Sequence, residues 1–284
     1  SKYEARDLLK TFVKKFKGSD LDKKGVKVSM FESGSMEGDD SSCAAYMDCI
    51  LGRGPKYVFK NAKLRKYFKE VSMHSYWSGA DTKKNAENYF SDKYSKYSVA
   101  ATEYCQMTDD KNTGVYDLIA KEKNGTNGTS IKYGVAMANT IVDDLTIMNA
   151  NEWDWWTACS YGTYTDGLIY LDEDNHENLD FSKRYYCLGN FSKFIKEGAV
   201  RVACSSGVKN VRSVAFVNED NTVVTVYVNN NDKKAYTTID CEGDYAVYTT
   251  DRDNDIAKTD FGKAKKVKVS LPASSVVTVV YEAK

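Results

Sequence analysis

The chain has 284 residues with 40 basic and 40 acidic side chains, a balance that gives nucleic acid or an anionic membrane no electrostatic reason to bind. Aromatic residues reach 13%, with 21 Tyr and 4 Trp, which suits stacking on flat, polar-edged ligands such as sugars and equally suits a β-rich core. No apolar run approaches the roughly 20 residues that cross a bilayer, and the charged Ser1–Phe16 stretch is not a secretory signal.

Leu8, Leu9, Phe12, Val13 and Phe16 recur at helical spacing, which predicts an amphipathic helix over Tyr3–Lys17. After Gly25, Val26–Phe31 reads as a short buried strand. Ala44–Leu51 and Ala62–Phe68 read as helices, Glu70–Tyr76 as the next strand, the stretch around Ala86–Tyr94 as a helix and Ser98–Tyr104 as a strand. Lys123–Ser130 is a polar loop. Val135, Ala138, Val142, Leu145 and Met148 share one face of a helix over Lys132–Met148; Ala150–Thr157 follows as a strand. A last helix, Phe181–Ile195, stops at Gly198.

Such alternation predicts parallel strands with helices packed outside them. A full (β/α)8 barrel takes about 250 residues, so four units imply the C-terminal half of a TIM barrel, strands five to eight, over residues 1–197. Half a barrel leaves open sheet edges, and the chain is therefore expected to begin inside a domain. From Val200 the pattern becomes period two, as in Val224/Val226/Val228, Val267/Val269/Leu271 and Val277/Val279/Tyr281. Residues 198–284 are expected to form an antiparallel β-sandwich, making the fold α/β plus all-β.

The cysteines at 43, 49, 105, 159, 187, 204 and 241 include no CxxC pair and match no zinc spacing; buried free thiols are the first expectation, one or two disulfides the second. Asp251–Asp255 has the look of a calcium loop but lacks the Gly and the terminal Glu at the required offsets, and reads as a solvated turn. Asn124, Asn127 and Asn190 are formal glycosylation acceptors; Asn190 falls within the last helix and is expected to be unused. No metal and no cofactor are expected.

Barrel active sites lie at the C-terminal ends of the strands. That rule gathers Glu32, His74, Tyr76, Trp77, Glu103, Tyr104, Trp153, Trp155 and Trp156. Carboxylates, a histidine and aromatic faces are what a glycosidase needs to attack an oxocarbenium-like centre and hold sugar rings. Trp153 and Trp155 alternate with Asp154 and Trp156, so at least one faces away from the lumen; Trp156 is expected inward.

Ser98–Gln106 (SVAATEYCQ) resembles the nucleophile strand of glycoside hydrolase family 30, whose core is a Thr-Glu-x-Cys or Thr-Glu-Tyr run. Val71–Trp77 (VSMHSYW) is similar to the family's His-x-Tyr strand, and Glu152–Ala158 (EWDWWTA) to its eighth strand. Tyr185–Val202 (YYCLGNFSKFIKEGAVRV) resembles its closing helix and the entry to its β-domain. The resemblance implies a retaining β-glycoside hydrolase with Glu103 as nucleophile. It implies His74 and Tyr76 as groups that orient Glu103 and touch sugar, Trp156 as an aromatic wall, and Glu32 as a contact to substrate hydroxyls. Tyr104 and Trp77 complete the expected substrate contacts.

One feature departs from the family. Its proton donor is the Glu of an Asn-Glu-Pro run at the end of the fourth strand, and the 284 residues contain no such run; Asn151-Glu152-Trp153 sits in the eighth strand instead. The acid/base is therefore expected on preceding sequence, with the missing N-terminal half of the barrel as a partner and the isolated chain inactive. The substrate implied is a β-linked oligo- or polysaccharide. Trp156–Asp172 resembles members that cut β-1,6-galactan, with β-xylan, β-1,6-glucan and a short β-glucoside open, and an extracellular or secreted location is expected. The alternative is a non-catalytic carbohydrate-binding or scaffold protein of the same fold.

Overall fold

The computed structural model describes residues 1–35, 43–51, 67–107, 129–161, 164–172, 174–175 and 177–282. The chain divides into two compact units, Ser1–Cys105 with Asp143–Trp156, and Gln106–Val142 with Thr157–Lys284.

The first unit opens on helix α1, Lys2–Phe16, whose start is fixed by a capping box between Ser1 and Glu4. It buries Leu9, Val13 and Phe16, the face read from the periodicity. A short α2, Asp20–Lys23, follows, then β1, Val28–Ser33, and α3, Cys43–Leu51. The predicted helix Ala62–Phe68 lies mostly outside the described residues, and Phe68 itself begins strand β2, Phe68–His74. Next come α4, Ala80–Lys93, and β3, Ser98–Glu103. The unit closes with β4, Glu152–Trp153. The expected strand Ala150–Thr157 is reduced to these two paired residues, although the amides of Asn151, Asp154 and Trp156 still reach carbonyls of Val99, Ala101 and Tyr104 at 2.9, 2.8 and 3.0 Å.

All four strands are parallel, in the order β1-β2-β3-β4. Val71, Met73, Val99 and Ala101 face Leu9, Val13, Phe16, Met47, Ile50 and Phe90 in one core. The alternate positions, Ser72, His74 and Ala100, belong to the other face of the sheet, as the period of two requires. Near its C-terminal end this regularity breaks on both flanks of β2. Phe31 pairs with Ser72 and Ser33 with Met73, so Glu32 is an extra residue; Ala101 pairs with Met73 and Glu103 with His74, so Thr102 is another. Strict alternation would have sent Glu103 toward the helices with Val99 and Ala101. The inserted residue re-aims it, as bulges do next to functional sites.

In the second unit, helix α5, Ile131–Thr146, contributes its first three turns. A small sheet unforeseen from the sequence joins β5, Cys159–Ser160, β6, Ile169–Leu171, and β7, Leu179–Phe181, in that order. Phe181 is thus the end of a strand, and the predicted last helix begins two residues later as α6, Lys183–Ser192, capped by Ser182. The period-two region supplies β8 (Val200–Val202), β9 (Val211–Val217), β10 (Thr222–Asn229), β11 (Ala235–Thr250), β12 (Ala257–Leu271) and β13 (Ser275–Glu282). Their hydrogen-bonded order is β12-β11-β13-β10-β9-β8.

The register of β11 on β12 shifts between Asp240 and Gly243, and of β11 only Tyr245–Thr250 pairs with β13. Ile239, Cys241, Val267, Val269 and Leu271, on one side of that shift, share a core with Val247, Val277, Val279, Tyr227 and Val211. One continuous array thus folds over itself as a sandwich. Gly243 stands at the shift with φ +124°, where a Cβ would run into the Glu282 carboxylate. Asn190 is fully buried and its amide nitrogen donates to Thr278 Oγ1 at 2.9 Å, a setting closed to glycosylation. Asn124 and Asn127 lie outside the described residues. Asp251 Oδ1 accepts from the amides of Asp253 and Asn254, both at 2.9 Å, a self-satisfied turn. The thiols of Cys49, Cys105, Cys187 and Cys241 are buried, whereas Cys159 is exposed. No helix among the described residues is long and apolar enough to cross a membrane.

Candidate active site

The ends of β1, β2 and β3 and the residues just after β2 bring four of the singled-out residues together, Glu32, His74, Tyr76 and Glu103. Glu103 Oε1 accepts a hydrogen bond from the Tyr76 hydroxyl at 2.9 Å and lies 3.5 Å from His74 Nδ1. His74 Nε2 meets Glu32 Oε2 at 3.0 Å, and the same oxygen accepts from Thr102 Oγ1 at 2.7 Å. The imidazole therefore stands between two carboxylates. Glu32 holds φ +57°, a left-handed conformation that few non-glycine residues adopt. Burial pushes its carboxyl up, but hydrogen bonds from Thr102, Ser72 and His74 outweigh this and hold it below the ordinary glutamate value.

Tyr76 is buried, with its hydroxyl also 3.6 Å from Cys105 Sγ. Burial first, then Cys105 and Glu103, drive the phenol well above its usual range. It consequently stays protonated and acts as a donor to Glu103. The backbone between the two orienting groups is tied down from below: Ser75 Oγ donates to Asp144 Oδ2 at 2.7 Å, and Lys83 Nζ pairs with Asp144 Oδ1 at 2.8 Å in a fully buried ion pair.

The aromatic residues separate into two sets. Tyr104 is fully buried, its ring 5.9, 6.2 and 5.9 Å from those of Tyr76, Trp153 and Trp155, so it lies beneath the site and not on its surface. Trp153 turns its indole N–H to Asp144 Oδ2 at 2.9 Å and packs on the helix-side core. Trp156 and Trp77 are exposed at 54% and 36%, which leaves their faces available to a ligand; Trp77 sits at φ +53°, its ring 5.6 Å from Tyr76.

Two features were not legible beforehand. Asp154 was read only as a spacer between tryptophans. Its carboxyl, on an exposed residue, is raised by partial desolvation and then by the negative charges of Glu32 and Glu70. The Lys83–Asp144 pair was invisible because either residue, read alone, is an ordinary helix-surface charge.

A carboxylate held by a neutral phenol and an imidazole, with exposed indoles nearby, can attack or stabilise a developing cationic carbon. Residues 25–170 match the family model described as O-glycosyl hydrolase family 30, and residues 198–279 match the glycosyl hydrolase family 30 beta sandwich domain. Among solved structures, a family 30 subfamily 8 xylanase from Clostridium acetobutylicum superposes with TM-score 0.65 at 21% identity, over 92% of this chain and 57% of that one. A conserved exported protein from Bacteroides fragilis gives 0.73 at 22% over the same shares. A family 30 endoxylanase from Clostridium papyrosolvens gives 0.64 at 20%, over 99% of this chain and 71% of that one. At these identities the likeness establishes the fold, a partial barrel followed by a β-sandwich. The chain spans 57% of the length of the first two structures.

Proposed function

This chain belongs to glycoside hydrolase family 30, and from that premise we propose that it carries the nucleophile half of a retaining β-glycosidase active site, with Glu103 as the attacking carboxylate. The observation that carries the reading is the pair of contacts on Glu103 Oε1 from Tyr76 and His74 at the end of the adjacent strand. A nucleophile must be fixed in direction and open to a ligand. The Tyr76 hydrogen bond and the adjacent imidazole meet the first need, and its part-exposed side chain meets the second.

In this reading Glu103 attacks the anomeric carbon from the side opposite the departing leaving oxygen, forming a glycosyl ester, and water then displaces the carboxylate from the face the leaving group vacated, so that two inversions give net retention. Tyr76 holds the carboxylate by one oxygen and leaves the other to attack. Trp156 and Trp77 offer apolar faces to sugar rings, and Glu32 takes a sugar hydroxyl. Retention needs a second carboxyl about 5–5.5 Å from the first to protonate the leaving oxygen. Glu32 is engaged by His74 and Thr102 and is assigned no such role; the acid/base is ascribed to a polypeptide segment outside these 284 residues. Residues 1–197 are taken as the barrel portion and residues 198–284 as the supporting sandwich.

The substrate proposed is a β-linked polysaccharide met outside the cell. Related folds include two described as xylanases and one as an exported protein, which supports β-xylan alongside the β-1,6-galactan suggested by Trp156–Asp172. The test is hydrolysis of β-xylan, β-1,6-galactan and β-1,6-glucan by the chain alone and after association with the N-terminal half of a family 30 barrel. Turnover only in the associated form, lost with Glu103→Gln, is expected. Glycan binding that survives Glu103→Gln, with no turnover in either form, would instead establish the non-catalytic binder that the lack of an Asn-Glu-Pro run keeps in view.

A further inference from the structure

We propose that Asp144, a fully buried carboxylate on the last turn of α5, is a positioning residue for Glu103: its Oδ2 ties together the two residues that brace the end of β3 from the strands on either side. The catalytic meaning rests on the reading of Glu103 as nucleophile. The bracing is a matter of geometry within the first unit alone.

Strand β3 lies between β2 and β4. From the β2 side, the amide of Ser75 donates to the carbonyl of Glu103 at 3.4 Å. From the β4 side, Trp153 pairs with Ala101 and sets its ring 6.2 Å from that of Tyr104, the residue after Glu103. Both bracing residues then reach one atom. Ser75 Oγ donates to Asp144 Oδ2 at 2.7 Å, and Trp153 Nε1 donates to the same oxygen at 2.9 Å. The other oxygen, Oδ1, meets Lys83 Nζ at 2.8 Å. Glu103 is thus held through its own carbonyl on one side and through its neighbour's ring on the other, and both lines end on Asp144.

Ser75 also stands between His74 and Tyr76. Its hydroxyl turns away to Asp144 while the two neighbouring side chains approach Glu103 Oε1. Fixing Ser75 therefore fixes the segment from which the Tyr76 hydroxyl is aimed.

Fold stability alone does not call for this arrangement. Replacing a buried ion pair by apolar side chains of similar volume is often neutral or stabilising, so packing α4 on α5 needs no charges. What an apolar pair cannot do is accept two hydrogen bonds at one point. Ser75, Lys83 and Asp144 are all buried out of reach of a sugar. Any effect of Asp144 on the reaction must then pass through Ser75 and Trp153.

Two paired variants separate holding from folding. Lys83→Met/Asp144→Asn and Lys83→Met/Asp144→Leu both remove the ion pair and both charges, but only asparagine keeps a side-chain oxygen to accept from Ser75 and Trp153. The full 284-residue chain, bound to the N-terminal half of a family 30 barrel, is labelled with an activated 2-deoxy-2-fluoro-β-glycosyl fluoride. The saturating rate is read apart from the half-saturating concentration. With leucine the saturating rate is expected to fall by roughly tenfold or more, because small misplacements of a reacting group are costly, while half-saturation stays within about twofold. With asparagine the rate is expected within about threefold of wild type. Equal rates in the two pairs, or a loss confined to half-saturation, would overturn the proposal. If a pair fails to fold, Ser75→Ala, which leaves the ion pair and the Trp153 bond in place, is expected to slow the saturating rate by roughly fivefold or more, and an unchanged rate would overturn the proposal equally.

Amide hydrogen exchange at position 75 reads the brace with no sugar present. Protection of that amide should drop with leucine at 144 or alanine at 75 and persist with asparagine at 144; equal protection in every form would refute the bracing. Should Glu103 of the wild-type chain take no label, the nucleophile reading fails, and the exchange result alone decides whether Asp144 positions that residue.

Discussion

Glu103 and Tyr76 illustrate how much one hydrogen bond can decide. The phenol is pushed out of its ionisable range, so its single proton is always available to Oε1 at 2.9 Å. A hydrogen bond to a charged acceptor is worth about 1.5–3 kcal/mol, and Tyr76→Phe should slow glycosylation of Glu103 by roughly 10- to 100-fold. Pre-steady-state rates of leaving-group release would read this; an unchanged rate would remove Tyr76 from the orienting role. Asp154 tests the opposite sign. Its folded carboxyl, though exposed, lies above the ordinary value because of partial desolvation and then the charges of Glu32 and Glu70, so ionising it costs a little folding free energy once the pH exceeds both values. Asp154→Asn should therefore raise stability at neutral pH and lose that advantage as pH falls through the usual aspartate range near 3.9. Urea midpoints at neutral and acid pH check this, and an advantage that persisted in acid would contradict it.

At the scale of elements, the sheet face is set by period two and the site by where that period fails. Strand-end positions put His74, Tyr76 and Glu103 among nine candidates, and it was the family resemblance that implied the first two orient the third. The bulges at Glu32 and Thr102 were not, because a one-residue insertion leaves no mark in a hydrophobic pattern. The short β5–β7 sheet escaped for a related reason, as two- and three-residue strands carry no period. Tyr104 was read as near the sugar because it follows Glu103, but the re-aimed end of β3 turns it inward against Trp153 and Trp155.

The ion pair between α4 and α5 makes a further prediction. Lys83 and Asp144 are buried, and Asp144 also accepts from Ser75 and Trp153. Breaking a buried pair from one side costs about 3–5 kcal/mol because the other charge is stranded. Lys83→Met should approach that loss in chemical denaturation, and adding Asp144→Leu should return part of it. Gly134 on α5 is the converse case. Alanine there gains helix propensity, yet its Cβ would fall 2.6 Å from Cys187 Sγ and 3.0 Å from the Lys183 carbonyl. Gly134→Ala is expected to destabilise by about 1–3 kcal/mol, read as a lower denaturation midpoint.

For the whole molecule, composition and periodicity sufficed for the architecture, a parallel α/β portion followed by an antiparallel sandwich, because amphipathic helices and three clearly alternating runs leave strong signals. They also sufficed to limit it: four parallel strands give a partial barrel, in keeping with a chain that spans 57% of two structures it resembles. The sandwich was legible as strands but not as one array bent at Gly243, since a register shift between Asp240 and Gly243 depends on which strands become neighbours. Catalysis in the proposed reading is likewise a property of more than this polypeptide. One carboxylate here has its donors in place, and its protonating counterpart is ascribed elsewhere.

The central claim is most directly tested by covalent trapping. Activated 2-deoxy-2-fluoro-β-glycosyl fluorides of xylose, glucose and galactose carry leaving groups that need no acid, so they interrogate the nucleophile by itself. The chain, free and associated with the N-terminal half of a family 30 barrel, would be treated with each and the modified peptide sequenced by mass spectrometry. The account predicts one glycosyl ester, on Glu103, absent from Glu103→Gln. A stable adduct on any other carboxylate, or one that persists in Glu103→Gln, would contradict it.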